Sequence, residues 1–318
     1  MTGTQVRERE ARWRIPVAIA SFLGVLLLVA TNPVSGVSGD GEAAILRSID
    51  AHNGSVLISG LIQAAALALF ALVLAYFFKA VEARSERVLP WVLPLALAAF
   101  AVLAGSAVLT SIANNEGADS FVAGEAEPGL TAKEAKEECL SERRDEGGGF
   151  LGDEYEPQQG ETPLAACERR KLDDDAASEA LKEASLRPVS SILGVIGGLG
   201  VAASFFYVGL WSMRTGLLSR LWGSIGMVAG ITILLGIPFV VLVWFIYTGL
   251  LALGAVPGGR PPAWEAGVAV PWPTPGEKAA AELQGEGEDE GPVSGPSDGS
   301  DGSPGTGEGP PRKRKQRD

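Results

Sequence analysis

Histidine and cysteine are nearly missing from this chain: it holds one of the first and two of the second. A single imidazole, His52, leaves no zinc-type constellation. Two thiols, Cys139 and Cys167, are too few for a disulfide scaffold. No P-loop, GxGxxG-plus-acid, HExxH or GxSxG pattern occurs, so those phosphate, dinucleotide, metalloprotease and hydrolase signatures are excluded. Charge is scarce as well, at 20% of residues, yet the net charge is −12. Mean hydropathy is +0.20 despite that charge. Soluble domains rarely combine these values. The reason is segregation, into long uncharged apolar runs and two hydrophilic blocks.

Runs of about 18 or more apolar residues are candidates for crossing a ~30 Å hydrocarbon core. The first runs from Ile15 to Ala30, preceded by Arg7, Arg9, Arg12 and Arg14. The second covers Val56 to Phe78, with Lys79, Arg84 and Arg87 after it. The third covers Leu89 to Ile112, with Pro90 and Pro94 in its opening turns, where a missing N–H costs little. The fourth covers Val189 to Trp211. The stretch from Leu217 to Gly254 would be about 57 Å long as one helix, nearly twice the core thickness. Gly236-Ile237-Pro238 interrupts it. Two spans, Leu217–Leu235 and Phe239–Leu253, joined by a tight turn are therefore expected. The alternative is one tilted, Pro-kinked helix, which gives five spans in place of six.

Lys and Arg flank the start of the first span, the 2–3 loop and the 4–5 loop, while the 1–2 loop holds only Arg47. The positive-inside rule places the N-terminus in the cytoplasm. Six spans return the tail, ending in Arg312-Lys313-Arg314-Lys315-Gln316-Arg317, to the same side. The first span also fits a signal peptide, although its cleavage signature is poor.

Residues 113–187 carry 20 acidic and nine basic side chains, a net of −11. Leu130–Glu146 and Pro163–Leu186 read as helices separated by Gly147-Gly148-Gly149, and Thr131-Ala132-Lys133-Glu134 matches a capping box. Cys139 and Cys167 fall one in each helix. Outside the membrane a disulfide between them is expected, against two unpaired thiols. Asp173-Asp174-Asp175 and Asp153-Glu154-x-Glu156 lack EF-hand spacing. They read as solvated charge, not a metal site.

Apart from Arg220, near the start of Leu217–Leu235, no ionisable residue falls within the spans so drawn. This argues against a pump, a coupled transporter or an intramembrane hydrolase. Gln63 is expected to hydrogen-bond between helices. With Ser106, Thr110 and Tyr207 it would alternatively line a polar path. Small residues recur every four positions at Ser190, Gly194, Gly198 and Ala202, and again at Gly226 and Gly230. They read as helix-packing stripes, intramolecular in preference to dimeric. His52-Asn53-Gly54-Ser55 reads as a turn and N-cap, and Glu42–Ala51 as a short surface helix.

After Gly254 come Pro257-Gly258-Gly259-Arg260-Pro261-Pro262-Ala263-Trp264-Glu265 and Pro271-Trp272-Pro273. This segment is expected to lie against the inner membrane surface. From Ala279 onward Gly, Glu, Ser and Pro dominate, and disorder is expected. The PGGRPPAWEAG…PWP segment, with the Ala51-His52-Asn53 to Arg84 region, resembles uncharacterised multi-pass membrane proteins of high-GC bacteria. The resemblance implies a helical multi-pass architecture in a bacterial plasma membrane. It implies no catalytic residue.

The expected fold is an all-α membrane protein. It comprises a cytoplasmic N-terminus (1–14), three transmembrane helices (15–112) and an acidic extracytoplasmic loop (113–187). Three more spans (188–254), a juxtamembrane segment (255–278) and a disordered tail (279–318) follow. A non-enzymatic protein using the acidic loop or tail as an interaction surface is the first functional expectation. A facilitator or channel for a small neutral solute is the second. The bilayer is the expected partner, with an unidentified protein through loop or tail. Neither nucleic acid nor a cofactor is expected.

Overall fold

The computed structural model describes residues 2–145, 160–256 and 259–272. Among them are ten helices and no strand: α1 (Gly3–Ser35), α2 (Glu42–Ala51), α3 (Asn53–Glu82), α4 (Val92–Val122), α5 (Ala132–Asp145), α6 (Pro163–Glu183), α7 (Arg187–Arg214), α8 (Arg220–Leu234), α9 (Phe239–Leu253) and α10 (Pro262–Ala266). Helices α1, α3, α4 and α7 are long and apolar enough to cross a membrane. Helices α8 and α9 are apolar but have 15 residues each. The protein is an all-α, membrane-embedded one. Gly147–Gly149, the Asp153–Glu156 cluster and the tail from residue 273 lie outside the described residues.

Helices run past the apolar segments because backbone hydrogen bonding continues where hydropathy ends. Helix α1 has 33 residues and passes through Pro16 and Pro33. Helix α4 continues to Val122, ten residues beyond the expected end of the third span. That extension buries Ala113, Gly117 and Ala118. Gly117 lets α6 approach: a Cβ there would sit 3.1 Å from Leu181.

The break between α8 and α9 has a specific cause. Gly236 takes a left-handed φ of 69°. Its N–H donates to Ile233 O, and the Ile237 N–H donates to Thr232 O. This paired 5→2 and 6→1 arrangement caps α8, and Pro238 then begins the new direction. Each arm is about 22 Å long, at 1.5 Å per residue. The hairpin therefore stops short of the far ends of α1, α3 and α4.

The core lies between α1, α3, α4, α7, α8 and α9 and is aromatic: Phe70, Phe77, Phe100, Phe205, Trp244 and Phe245 are all within it. Phe70 and Phe245 stack with centroids 3.8 Å apart. The glycines facing this packing are partly those expected. Gly226 faces Trp244 and Gly230 faces Ala202 and Phe205. Both serve packing within the chain. In α7 the closest approach falls elsewhere. Gly197 and Gly200 abut Leu103 and Ala99 of α4, whereas Gly194 only borders Ser106 and Gly198 only borders Leu234. The glycines of the stripe read from sequence meet α4 at Gly194 and α8 at Gly198, while the tightest approach to α4 is at Gly197 and Gly200, because several helices surround α7 and more than one of its faces is buried.

The acidic region is tied to the bundle and does not stand free as solvated charge. Cys139 and Cys167 form a disulfide joining α5 to α6. Helix α6 in turn packs on α2 and α4 through Ala177 and Ala180. The triple-aspartate run is not merely solvated. Asp173 pairs with Arg47 at 2.9 Å, Asp174 accepts from the Ala43 N–H at 2.9 Å, and Asp175 accepts from the Leu130 N–H at 2.8 Å. Helix α2 thus rests on protein, with Ala43, Leu46 and Ile49 buried. The Thr131–Glu134 box closes as its sequence suggests: Thr131 N–H donates to Glu134 Oε2 and Glu134 N–H to Thr131 Oγ1.

The Pro- and Trp-rich segment also packs on protein. Ala263 and Trp264 are buried. Trp264 Nε1 donates to Leu217 O at 2.9 Å and Trp272 Nε1 to Leu218 O at 2.8 Å. Gly216 at φ 75° admits the Val270 backbone beside the α7–α8 turn.

Candidate functional site: a cavity above an aromatic floor

Where the α8–α9 hairpin stops short, the longer helices enclose a cavity of about 690 Å³. It lies at the end of the bundle opposite the N-terminus, bordered by the last turns of α1 and the first of α3. Polar walls come from α1, with Thr31, Asn32 and Ser35, and from α3 and α4, with Ser59, Gln63, Ser106, Thr110, Ser111 and Asn114. The floor is Phe70, Phe100, Phe205 and Phe245. Ile45 and Ile49 of α2 form the roof, and the Gly236–Pro238 turn closes one side. None of the lining residues is ionisable.

The hydroxyls that shape the walls are mostly committed to carbonyls. Ser106 donates to Leu103 O at 2.8 Å and Ser111 to Ala107 O at 3.2 Å, each within α4. Ser59 donates across to Thr31 O of α1 at 2.9 Å. Asn114 Oδ1 accepts from Arg187 at 2.9 Å. Gln63 is different. Its side chain is exposed to the cavity and makes no hydrogen bond to another described residue. The interhelical bond expected for it is not formed. An amide brings two donors and two acceptor lone pairs, so Gln63 offers a hydrogen-bonding group directly above an apolar floor.

The roof depends on the acidic region. Helix α2 is held by Arg47–Asp173, by the Asp174 cap on Ala43 and by Arg170, which donates to Asp40 O at 2.9 Å. Arg47 also lies 5.2 Å from the Phe121 ring centroid, on the α4 extension. His52 does not cap α3 with its side chain. Its Nδ1 hydrogen-bonds Ser48 O at 2.8 Å, and its ring covers Gly36.

Three of the four polar residues singled out from sequence, Gln63, Ser106 and Thr110, line this one cavity. Tyr207 is elsewhere. Its hydroxyl accepts from the Leu89 N–H at 3.0 Å, and its ring stacks on Phe78.

Sequence reasoning missed a buried ion pair at the opposite end. Arg84 meets both carboxylate oxygens of Glu10, and its Nε and second amino group donate to Ala263 O at 3.2 and 2.9 Å. The two side chains are 0% and 7% exposed. The only sequence signal was an acid within an arginine-rich N-terminus, and nothing local names a partner 74 residues away. The cluster binds α1, α3 and α10 together and leaves Arg84 saturated. It is structural.

No family model matches the chain, and neither a curated protein nor a solved structure does.

Proposed function

We propose that this is a six-span, non-enzymatic membrane protein whose cavity holds a small uncharged amphiphile. The observation that carries the reading is the cavity itself: a Gln63 amide without a partner among the described residues and the Thr110 hydroxyl over four phenylalanines, with no charge on the described lining. Such a site rewards a molecule with one polar end and an apolar body. An ion would find nothing there to replace its hydration shell.

The proposed spans are α1, α3, α4, α7, α8 and α9, with the last two as a hairpin. Basic residues near the start of α1, the end of α3 and the α7–α8 turn support a cytoplasmic N-terminus. The cavity then faces outward, and the acidic region is extracytoplasmic, in keeping with its disulfide. The resemblance of the PGGRPPAWE segment supports a bacterial plasma membrane.

In this reading the acidic region carries the roof of a binding site, in place of the free interaction surface expected from charge alone. A facilitator for a neutral solute is the second reading, because the same polar residues would line its mouth. The stacked Phe70–Phe245 pair below the cavity speaks against an open path.

The test uses 1-aminoanthracene, an uncharged amphiphilic fluorophore, with the purified full chain. Ala107→Phe fills the cavity and is expected to abolish specific binding; Gln63→Leu is expected to weaken it. Equal binding by both variants and the parent would sink the proposal. Glycerol flux in proteoliposomes above empty vesicles would favour the facilitator.

A further inference from the structure

The bundle is closed sideways below the Gly236–Pro238 turn and open above it. Around the ring α1 packs on α3, α3 on α4, α4 on α7, α7 on α8 and α9 on α1. The α8–α9 hairpin is therefore what stands between α7 and α1. On the α7 side, Leu234 at the end of α8 borders Gly198. Helix α7 reaches on to Arg187, about 16 Å beyond that contact at 1.5 Å per residue. On the α1 side, Ser21 donates to Phe245 O and Phe22 lies against Gly249, so α9 covers this face. Followed upward by whole turns, the same face carries Leu28, Thr31, Asn32 and Ser35. All four line the outward cavity. Its lower edge is the turn, where Ile237 is 50% exposed and a Cβ on Gly236 would meet nothing within 4 Å. A slot bounded by the end of α1, the turn and the first half of α7 thus opens the cavity to the side.

In a membrane-embedded bundle that slot meets lipid, because water is absent at hydrocarbon depth. The polar groups along it are uncharged and graded in depth. Ser59 donates to Thr31 O, which sets the level of α3 against α1. Asn32 sits at that level, exposed, and its side chain makes no hydrogen bond to another described residue. Gln63 lies one turn deeper, about 10 Å beyond the start of the apolar run at Val56. An amide without a partner is costly at that depth. Below both is the floor of Phe70, Phe100, Phe205 and Phe245. The complementary molecule has a hydroxyl outermost, carbonyl acceptors just beneath it and a hydrocarbon chain below. Residues 113–187, with their net charge of −11, lie over the roof and disfavour an anionic headgroup.

We infer that the ligand of this cavity is an uncharged glycerolipid, of the diacylglycerol class, which enters sideways from the bilayer over the α8–α9 turn. Its hydroxyl meets Asn32, an ester carbonyl accepts from the Gln63 amide, and one acyl chain rests on the phenylalanines. The inference rests on the reading of the cavity as a site for an uncharged amphiphile and names that amphiphile.

Photolabelling of the full chain in proteoliposomes tests it. One probe is a diacylglycerol with a diazirine on one acyl chain, and the other is phosphatidylglycerol with the same chain. The diacylglycerol probe is expected to label residues 28–35 and 236–238 several-fold more than the phosphatidylglycerol probe. Ala107→Phe, which fills the cavity, is expected to abolish that excess. Asn32→Leu changes an exposed residue and is expected to reduce it roughly fivefold, the worth of one hydrogen bond. Equal labelling by the two probes, or an excess unchanged in both variants, overturns the inference. Binding of 1-aminoanthracene separates the two failures. If the parent binds it and dioctanoylglycerol does not displace it, the lipid assignment alone is overturned. If the parent does not bind it, the cavity reading falls as well.

Discussion

Replacing Arg84 by Met removes five hydrogen bonds at once while keeping most of the side-chain volume. Two go to Glu10, two to Ala263 O and one to Ala80 O. The guanidinium is fully buried and Glu10 nearly so, so water cannot take over as partner. Breaking one side of a buried ion pair costs roughly 3–5 kcal/mol, because the remaining charge stays desolvated. The Ala263 carbonyl keeps the Gly267 N–H as a partner, so the stranded Glu10 carboxylate dominates the loss. Of the elements the cluster joins, α10 is the shortest, at five residues. The expected result is therefore detachment of the 259–272 segment before the helices separate. Trp264 reports the event, because its ring lies 5.5 Å from the Arg84 guanidinium and its Nε1 is bonded to Leu217 O. Tryptophan fluorescence during heating and limited proteolysis around residues 259–272 would follow it in detergent. Adding Glu10→Gln to Arg84→Met removes the stranded charge and should recover more than half of the loss. If Arg84→Met changes stability by less than about 0.5 kcal/mol, or the double variant is as unstable as the single, the account of this cluster is wrong.

Glycines discriminate seam from lipid face. A Cβ at Gly197 would lie 2.7 Å from the Leu103 backbone, so Gly197→Ala should cost about 1–3 kcal/mol in thermal unfolding. Gly105 has nothing within 4 Å, and Gly105→Ala should be neutral or stabilise α4 by roughly 0.5–1 kcal/mol. Reducing Cys139–Cys167, 28 residues apart, should remove roughly 3–4 kcal/mol of restraint on α5 and speed proteolysis there, with the α7–α9 core unaffected. Asp174→Ala removes the cap on α2 and should cost about 1 kcal/mol, read as faster amide exchange across residues 42–51. Glu134 is held below the usual carboxylate range by the Thr131 backbone and hydroxyl donors. A depressed folded pKa means this support is present above the unfolded value and lost as pH falls through the folded one. The start of α5 should therefore fray in acid, and Glu134→Gln should remove that pH dependence in a circular dichroism titration.

Hydropathy and period alone determined that this chain is helical and membrane-embedded, and they located each apolar segment. The hairpin break was also legible, because a Gly–x–Pro triplet acts through local backbone geometry. So was the Thr131–Glu134 capping box, whose partners are three residues apart. Helix ends were not legible beyond the apolar runs, since hydrogen bonding carries α4 on to Val122 after its hydropathy has fallen. Contacts between distant residues were invisible for a deeper reason. Asp174 reads as one of three solvated carboxylates until α2 brings the Ala43 N–H to it. Glu10 reads as a tail residue until Arg84 is placed beside it. Gln63, Ser106 and Thr110 are mild polar residues on two helices, and only the shortness of the α8–α9 hairpin leaves the space into which they face. Trp264 looked like an interfacial anchor by composition. Tertiary packing decided that its indole meets the Leu217 carbonyl and two arginines, because a bundle capped at that end buries more apolar surface than one left open to the membrane face.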